Sequence, residues 1–336
     1  MSKKINIAIV GATGLVGETL LVLLEERDFP VEKLFALASE KSVGQSLVFR
    51  NEAIIVEALS RFDFAKVDIA FFAAGADTSL KYAPIAAKAG CRVIDKSTAF
   101  RNDNAIPLVV PEVNPEALKN YLDNNIIANP NCSTIPLVVV LKPIYDAFGI
   151  KRINIATYQS VSGAGKQGIE ALATETANLL NAQEIKNTAL EKQIAFNVIP
   201  KIDSFSDNGY TLEEMKLVWE TQKIMNDKNI LVNATAVRVP VFFGHSAAVH
   251  IETEKFADAK IVKKILEKTL GVIVVDGDDY PTPVTHAANQ DAVFVGRIRN
   301  DISFKNGLNL WIVCDNVRKG AALNAVQIAE LLIQNS

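Results

Sequence analysis

The chain has 336 residues, of which 49% are hydrophobic and 22% charged, with a formal net charge of −3. That length and apolar share suit about two globular domains and argue against disorder. The weakly acidic balance leaves no broad basic footprint for nucleic acid or an anionic membrane, so any phosphate-binding site must be local. Cys91, Cys132 and Cys314 are odd in number, widely spaced and free of any C-x-x-C pair. They therefore form neither a disulfide framework nor a cysteine-rich zinc site, and a reducing compartment is implied. No apolar run approaches membrane-spanning length, and Lys4 leads directly into an apolar strand with no room for a secretory leader, so a cytoplasmic protein is expected.

Between residues 5 and 127 short β-rich runs alternate with helical stretches, the pattern of a doubly wound α/β domain with a mostly parallel sheet. Strands are expected at 5–10, 33–38, 69–73, 92–95 and 125–128, and helices at 15–27, 79–89 and 115–124. For the last helix, Asn114 is read as the N-cap and Pro115 as the first helical residue. Gly11-Ala12-Thr13-Gly14-Leu15-Val16-Gly17 follows the first strand and opens an amphipathic helix, the context a dinucleotide fingerprint requires. Its glycines permit a tight turn, a close approach of backbone to pyrophosphate and close packing of helix on sheet, while the helix N-terminus supplies N–H donors. A purely structural strand-to-helix turn is the plainer alternative. At the end of the second strand, Ser39, Lys41 and Ser42 favour a 2′-phosphate and hence NADP, whereas Glu40 leaves NAD open.

Asn131-Cys132-Ser133-Thr134 sets a cysteine behind the rigid Asn129-Pro130 turn and ahead of an apolar run at 135–141. A helix is expected to open at Cys132, with Pro136 tolerated in its first turn. Unpaired N–H groups and the positive end of the helix dipole there favour a thiolate and so prepare a nucleophile. A buried cysteine acting as a small hydrophobe is the alternative. Beyond about residue 151, longer alternating strands at 153–160, 230–239, 247–254, 292–298 and 308–313 suggest an α+β domain with an open, largely antiparallel sheet. Thr211-Leu212-Glu213-Glu214 reads as a capping box that puts Glu213 and Lys216 on one helix face, by itself an ordinary surface ion pair. Helical spacing in 320–333 suggests that the chain ends by returning to its first domain. The expected division is 1–130 with 320–336, and 131–319. His245, His250 and His286 form no metal-ligand spacing, and no metal is expected.

With these motifs in place the chain resembles the aspartate-semialdehyde dehydrogenase family over essentially its whole length. Beyond the Gly-rich loop and Asn131-Cys132-Ser133-Thr134, the resemblance is carried by Ile94-Asp95-Lys96-Ser97-Thr98-Ala99-Phe100-Arg101, Val109-Val110-Pro111-Glu112-Val113-Asn114 and Tyr158-Gln159-Ser160-Val161-Ser162-Gly163-Ala164-Gly165. Ala195-Phe196-Asn197-Val198-Ile199-Pro200, Arg238-Val239-Pro240, Gly244-His245-Ser246 and Asp315-Asn316-Val317-Arg318-Lys319-Gly320-Ala321-Ala322 extend it. The resemblance implies a Rossmann-type doubly wound sheet plus an α+β catalytic and dimerisation domain, related in plan to glyceraldehyde-3-phosphate dehydrogenase. It implies NADP-dependent reductive dephosphorylation of L-aspartyl 4-phosphate to L-aspartate 4-semialdehyde, by a homodimer serving lysine, threonine and methionine biosynthesis.

Position by position, the resemblance makes Cys132 the nucleophile that forms a thioester, His245 the general acid/base and Gln159 an orienting group. Arg238 would pair with the α-carboxylate and Glu213 with the α-ammonium, while Arg101, Asn131 and Lys216 would bind the phosphate. Cofactor contacts fall on Gly11, Thr13, Gly14, Leu15, Val16, Gly17, Lys41, Ser42, Ser162, Gly163 and Asn316. The family commonly has arginine where Lys41 stands, asparagine where Lys96 stands and a small or apolar residue where Lys166 stands. Two other readings remain. One is N-acetyl-glutamyl-phosphate reductase, whose substrate has no ammonium for Glu213 to hold. The other is a non-catalytic dinucleotide-binding paralogue, from which loss of some reacting residues is expected.

Overall fold

A computed structural model describes residues 4–185 and 190–334, which divide into two compact units: Met1–Asn131 with Ala321–Ser336, and Cys132–Gly320. The first unit is built on β1 (Ile5–Val10), α1 (Leu15–Glu26), β2 (Val31–Ala38), β3 (Ser46–Phe49), β4 (Glu52–Ile55), β5 (Glu57–Ala58), β6 (Ile69–Phe72), α2 (Ala76–Lys88), β7 (Arg92–Asp95) and β8 (Ile126–Ala128). Its sheet runs β5-β2-β1-β6-β7-β8 with every pairing parallel. Parallel strands are covered on both faces, which is why β1 and β6 are nearly continuous apolar runs rather than alternating ones. Strand order reverses between β1 and β6, so the crevice at their C-terminal ends is the topological switch point where such sheets bind ligands.

Helix α1 packs on this sheet through Leu20, Leu23 and Leu24, in one core with Ile7, Ile9 and Phe71. The C-terminal helix Leu323–Gln334 adds Val326, Ile328, Ala329 and Leu332 to that core. Its Asn324 amide donates to the Val109 carbonyl at 3.0 Å and to Asn129 Oδ1 at 2.7 Å. Three features differ from the sequence reading. The stretch expected as a helix at 115–124 is a 3-10 helix, Pro115–Tyr121; Asn114 holds the N-cap position and Pro115 follows it as expected, but the Asn114 side chain makes no capping hydrogen bond. The Asn114 side chain is already committed, accepting from Val110 N–H and donating to the Leu108 carbonyl, both at 2.9 Å. The β3–β4 hairpin was not anticipated, because its exposed faces carry little apolar periodicity.

The second unit carries α3 (Thr134–Phe148), β9 (Ile150–Gln159), α4 (Lys166–Leu180), α5 (Leu212–Ile224), β10 (Leu231–Arg238), β11 (His245–Thr253), α6 (Ala259–Leu266), β12 (Val272–Val274), β13 (Val293–Asn300) and β14 (Gly307–Cys314). Its sheet runs β10-β9-β11-β14-β13-β12. The central pairings are antiparallel as expected, but β10–β9 and β12–β13 are parallel, so the sheet is mixed. Side chains alternate along β9, with Ile153, Ile155, Thr157 and Gln159 buried and Asn154, Ala156 and Tyr158 on the more open face. Because β9 and β10 are parallel and β11 runs against them, the C-terminal ends of the first two meet the start of the third. That edge of the sheet holds Gln159, Arg238 and His245.

Candidate active site

Cys132 lies just outside α3 rather than inside it: Ser133 occupies the N-cap position and the helix begins at Thr134. The correction follows from Pro136, which lacks an N–H and belongs in the first turn, so the helical register starts two residues after the cysteine. The Ser133 side chain makes no capping hydrogen bond to this helix end. The thiol is half-buried, with Sγ 3.4 Å from His245 Nε2. Gly320 lies against the other side of the cysteine, where an added Cβ would come within 3.2 Å of Cys132 Cβ.

His245 opens β11 behind Gly244, whose positive φ of 89° turns the chain into the strand and whose N–H donates to Asn316 Oδ1 at 3.0 Å. The imidazole is buried. Its Nδ1 faces the Ser160 N–H at 3.1 Å and the Ser160 hydroxyl at the same distance. Burial, reinforced by the Arg238 guanidinium and only partly offset by Glu213, pushes its pKa down from 6.5 to about 3. The resting ring is therefore neutral.

Around this pair the structure gathers the other charged groups anticipated in this unit. Gln159 Nε2 donates to Glu213 Oε1 at 3.0 Å and lies 3.4 Å from His245 Nε2, while its Oε1 accepts from Thr157 Oγ1 at 2.9 Å. Glu213 is in the first turn of α5, fixed by the capping box: Thr211 N–H donates to Glu214 Oε2 at 2.7 Å and Glu214 N–H to Thr211 Oγ1 at 3.3 Å. Lys216 Nζ reaches Glu213 Oε2 at 3.0 Å and Asp203 Oδ2 at 2.8 Å. Burial works against the charge on Lys216, but the carboxylates of Glu213 and Asp203 outweigh it and raise its pKa. Glu213 is only 5% exposed, so this is a buried ion pair and not an ordinary surface pair. Arg238, also buried, donates from Nη1 to the Ser160 carbonyl at 2.8 Å. Burial lowers its pKa and Glu213 opposes that shift, leaving a cation. Gly163 makes room for both bases, since a Cβ there would lie 2.7 Å from Arg238 Nη1 and 3.3 Å from His245 Nε2.

Ser162 and Asn316 join the same network. Asn316 Oδ1 accepts from Ser160 Oγ at 3.0 Å and Ser162 Oγ at 3.1 Å, and Asn316 Nδ2 donates to Ser162 Oγ at 3.0 Å. Ser160 and Gly320 were not singled out from sequence. Each carried only the weak signal of its motif, Gly320 as the glycine of the Lys319-Gly320-Ala321-Ala322 run and Ser160 within Tyr158-Gln159-Ser160-Val161.

The remaining anticipated residues belong to the first unit. Gly11, with φ of 84°, donates its N–H to the Leu37 carbonyl at 2.8 Å, and a Cβ on Gly17 would strike the Gly11 carbonyl oxygen and come within 2.7 Å of Ala12 Cα. Gly14 is an extended N-cap without a side-chain bond, so the N–H groups of Leu15, Val16 and Gly17 have no capping side chain. A glycine cradle with free helix-end donors at the switch point fits a pyrophosphate. Thr13 Oγ1 approaches Ser42 Oγ at 3.5 Å, and Lys41 and Ser42 sit in a 3-10 turn after β2. Glu40, the residue that left NAD open, accepts from Ser60 Oγ at 2.6 Å and Arg61 Nη2 at 3.1 Å, interactions that lower its pKa. Arg101 is buried and donates from Nη2 to the Lys96 carbonyl at 2.6 Å, and Asn131 is buried at the end of the unit. Among the described residues no group of three or more His, Cys, Asp or Glu is arranged to hold a metal, and no helix is long and apolar enough to cross a membrane.

Comparison with known proteins matches residues 6–121 to the semialdehyde dehydrogenase NAD-binding domain and residues 141–319 to the semialdehyde dehydrogenase dimerisation domain. Aspartate-semialdehyde dehydrogenase 2 of Vibrio cholerae is 59% identical over 335 residues, covering 100% of this chain and 99% of the relative. A crystal structure of aspartate semialdehyde dehydrogenase II from Vibrio cholerae complexed with ASA superposes with a TM-score of 0.98, covering 99% of each chain at 59% identity. The aspartate semialdehyde dehydrogenase of Candida albicans with NADP aligns with a TM-score of 0.78 at 25% identity, covering 98% of each chain.

Proposed function

Because the chain belongs to the aspartate-semialdehyde dehydrogenase family of oxidoreductases, we propose that it reduces L-aspartyl 4-phosphate to L-aspartate 4-semialdehyde and phosphate through a thioester on Cys132, with NADPH as the reductant. The observation that carries the residue assignment is the 3.4 Å approach of Cys132 Sγ to His245 Nε2, beside a buried cation at Arg238 and a buried anion at Glu213.

In this reading the Cys132 thiolate attacks the acyl carbon and phosphate leaves, so one C–S bond forms as one C–O bond breaks. Arg238 takes the α-carboxylate and Glu213 the α-ammonium. Gln159, held by Glu213 and Thr157, orients the acyl group. Lys216, Arg101 and Asn131 take the phosphate; Lys216 is held by two carboxylates in the free protein, and the phosphate must compete with Asp203 for it. His245 passes one proton between Nε2 and the reacting oxygen, and Cys132 sulfur departs when the hemithioacetal collapses. When bound, a nicotinamide nucleotide would supply hydride to the thioester carbonyl carbon. Gly11, Thr13, Gly14, Leu15, Val16 and Gly17 would hold its pyrophosphate, Lys41 and Ser42 its 2′-phosphate, and Ser162, Gly163 and Asn316 its nicotinamide end. The engagement of Glu40 by Ser60 and Arg61 supports NADP over NAD, because a committed carboxylate is less free to accept from a ribose 2′-hydroxyl.

The proposal assigns 1–130 with 320–336 to cofactor binding and 131–319 to catalysis and dimerisation, in a cytoplasmic homodimer that binds neither nucleic acid nor membrane. A buried Glu213 suits a substrate with an ammonium and disfavours the N-acetyl-glutamyl reading; retention of Cys132, Gln159, Arg238 and His245 disfavours a non-catalytic paralogue. The test is phosphate-dependent reduction of NADP with L-aspartate 4-semialdehyde, run beside NAD and beside N-acetyl-glutamate semialdehyde. Turnover on the first pair alone is expected. Turnover only on the acetylated aldehyde transfers the assignment, and folded protein that binds NADP but turns over neither overturns the enzymatic reading.

A further inference from the structure

A histidine that exchanges protons at Nε2 must control what happens at Nδ1. To receive a proton at Nε2, a neutral imidazole must already carry its hydrogen on Nδ1, and that N–H needs an acceptor in a buried site. At Nδ1 of His245 stands Ser160, which presents a backbone N–H and a hydroxyl oxygen, both at 3.1 Å. The N–H suits the tautomer with hydrogen on Nε2, and the hydroxyl oxygen suits the tautomer with hydrogen on Nδ1.

The neighbours of Ser160 decide which role its hydroxyl takes. Asn316 Oδ1, 3.0 Å away, is an acceptor for the Ser160 hydroxyl proton. Ser162 Oγ is also 3.0 Å from Ser160 Oγ and receives the Asn316 Nδ2 donor, so its single proton goes either to Asn316 Oδ1 or to Ser160 Oγ, and in neither case does Ser160 need to give its own proton to His245. With its proton directed to Asn316, Ser160 Oγ turns a lone pair toward His245. We propose that Ser160 is a positioning residue for proton transfer: its backbone N–H donates to Nδ1 in the tautomer with hydrogen on Nε2, and its hydroxyl oxygen accepts the Nδ1–H in the other tautomer and in the imidazolium, the states in which Nε2 takes or carries the reacting proton. The inference rests on the role given to His245 above.

The step balances. A proton leaves Cys132 Sγ, or the hydroxyl of the hemithioacetal, and binds Nε2; imidazole becomes imidazolium and no electrons move. Charged groups facing the ring are Arg238 from β10, which opposes the imidazolium, Glu213 from α5, which favours it, and Cys132 ahead of α3. Burial and Arg238 together hold the ring neutral, so the barrier to charging it depends on a neutral acceptor already in place.

The test compares wild type with Ser160→Ala, which deletes the acceptor, and Ser160→Thr, which retains it. Two pH profiles are recorded on the full-length protein: kcat for oxidation of L-aspartate 4-semialdehyde, and the rate of Cys132 alkylation by iodoacetamide. Loss of the acceptor destabilises imidazolium, so Ser160→Ala should lower the kinetic pKa of the base by about one unit and kcat by about tenfold. For the same reason it should raise the apparent thiol pKa seen by alkylation, because the thiolate–imidazolium pair becomes less favourable. Ser160→Thr should restore both profiles. Unmoved profiles in Ser160→Ala overturn the proposal even if the rate falls, since a structural role alone lowers rate without moving a pKa. The alkylation arm needs no turnover, so a failure of the assigned reaction stays separate from a failure of Ser160.

Discussion

The Cys132 thiol is held by small residues as much as by polar ones. Gly320 packs on Cys132 and Gly163 lies against Arg238 and His245, so both glycines define where these side chains sit. Gly320→Ala should force the cysteine to shift by a few tenths of an ångström and lower kcat about tenfold with little change in melting temperature. Cys132→Ala should abolish turnover while leaving the NADPH dissociation constant, read by nucleotide fluorescence, within about twofold of wild type. His245 gives a stability prediction as well. Its native pKa of about 3 lies below the ordinary 6.5, so the unfolded chain binds the extra proton in that interval. The stability contributed by the neutral ring is complete above pH 6.5 and is lost as pH falls toward 3, at up to about 1.4 kcal/mol per pH unit. Urea midpoints measured across this range should fall less steeply in His245→Gln than in wild type; parallel slopes would count against a neutral buried imidazole.

At the scale of elements, the site depends on where strands and helices end. β9, β10 and β11 place Gln159, Arg238 and His245 at their tips, where side chains escape the sheet's pairing while their backbones remain anchored. Helix α5 contributes its first turn, the least stable part of any helix, and the Thr211–Glu214 capping box compensates by satisfying donors that would otherwise fray. Thr211→Ala should therefore cost about 1 kcal/mol in urea denaturation and raise KM for the semialdehyde more than it lowers kcat, because Glu213 loses its fixed bearing. Where the sequence reading erred at this scale, local competition explains it. Asn114 is a good cap by type, yet its amide bridges Val110 and Leu108, and the segment after it winds as a 3-10 helix.

Over the whole chain, the second unit's sheet leaves one face open, with Tyr158 and Trp311 in contact at 5.5 Å between ring centres beside Ala156, Ala248 and Asn309. Residues 141–319 match a dimerisation domain, and the homodimer proposed above would form its subunit contact on this face. Tyr158→Glu combined with Trp311→Arg should convert a dimer to monomers in sedimentation velocity, whereas an unchanged sedimentation coefficient would move the contact elsewhere.

The sequence by itself determined the fold class and the chemistry on offer. Apolar runs of strand length, glycines at Gly11, Gly14 and Gly17, and a cysteine before a proline-bearing helix are local signals, and β1, α1 and β7 follow them almost to the residue. Only the tertiary structure decided how those groups act. The parallel edge pairs of the second sheet, the burial of Glu213 and the depressed pKa of His245 arise from contacts between segments far apart in the chain. Ser160 and Gly320 show the limit most clearly: each matters through one atom's distance to a residue more than eighty positions away, and no periodicity or propensity encodes such a distance.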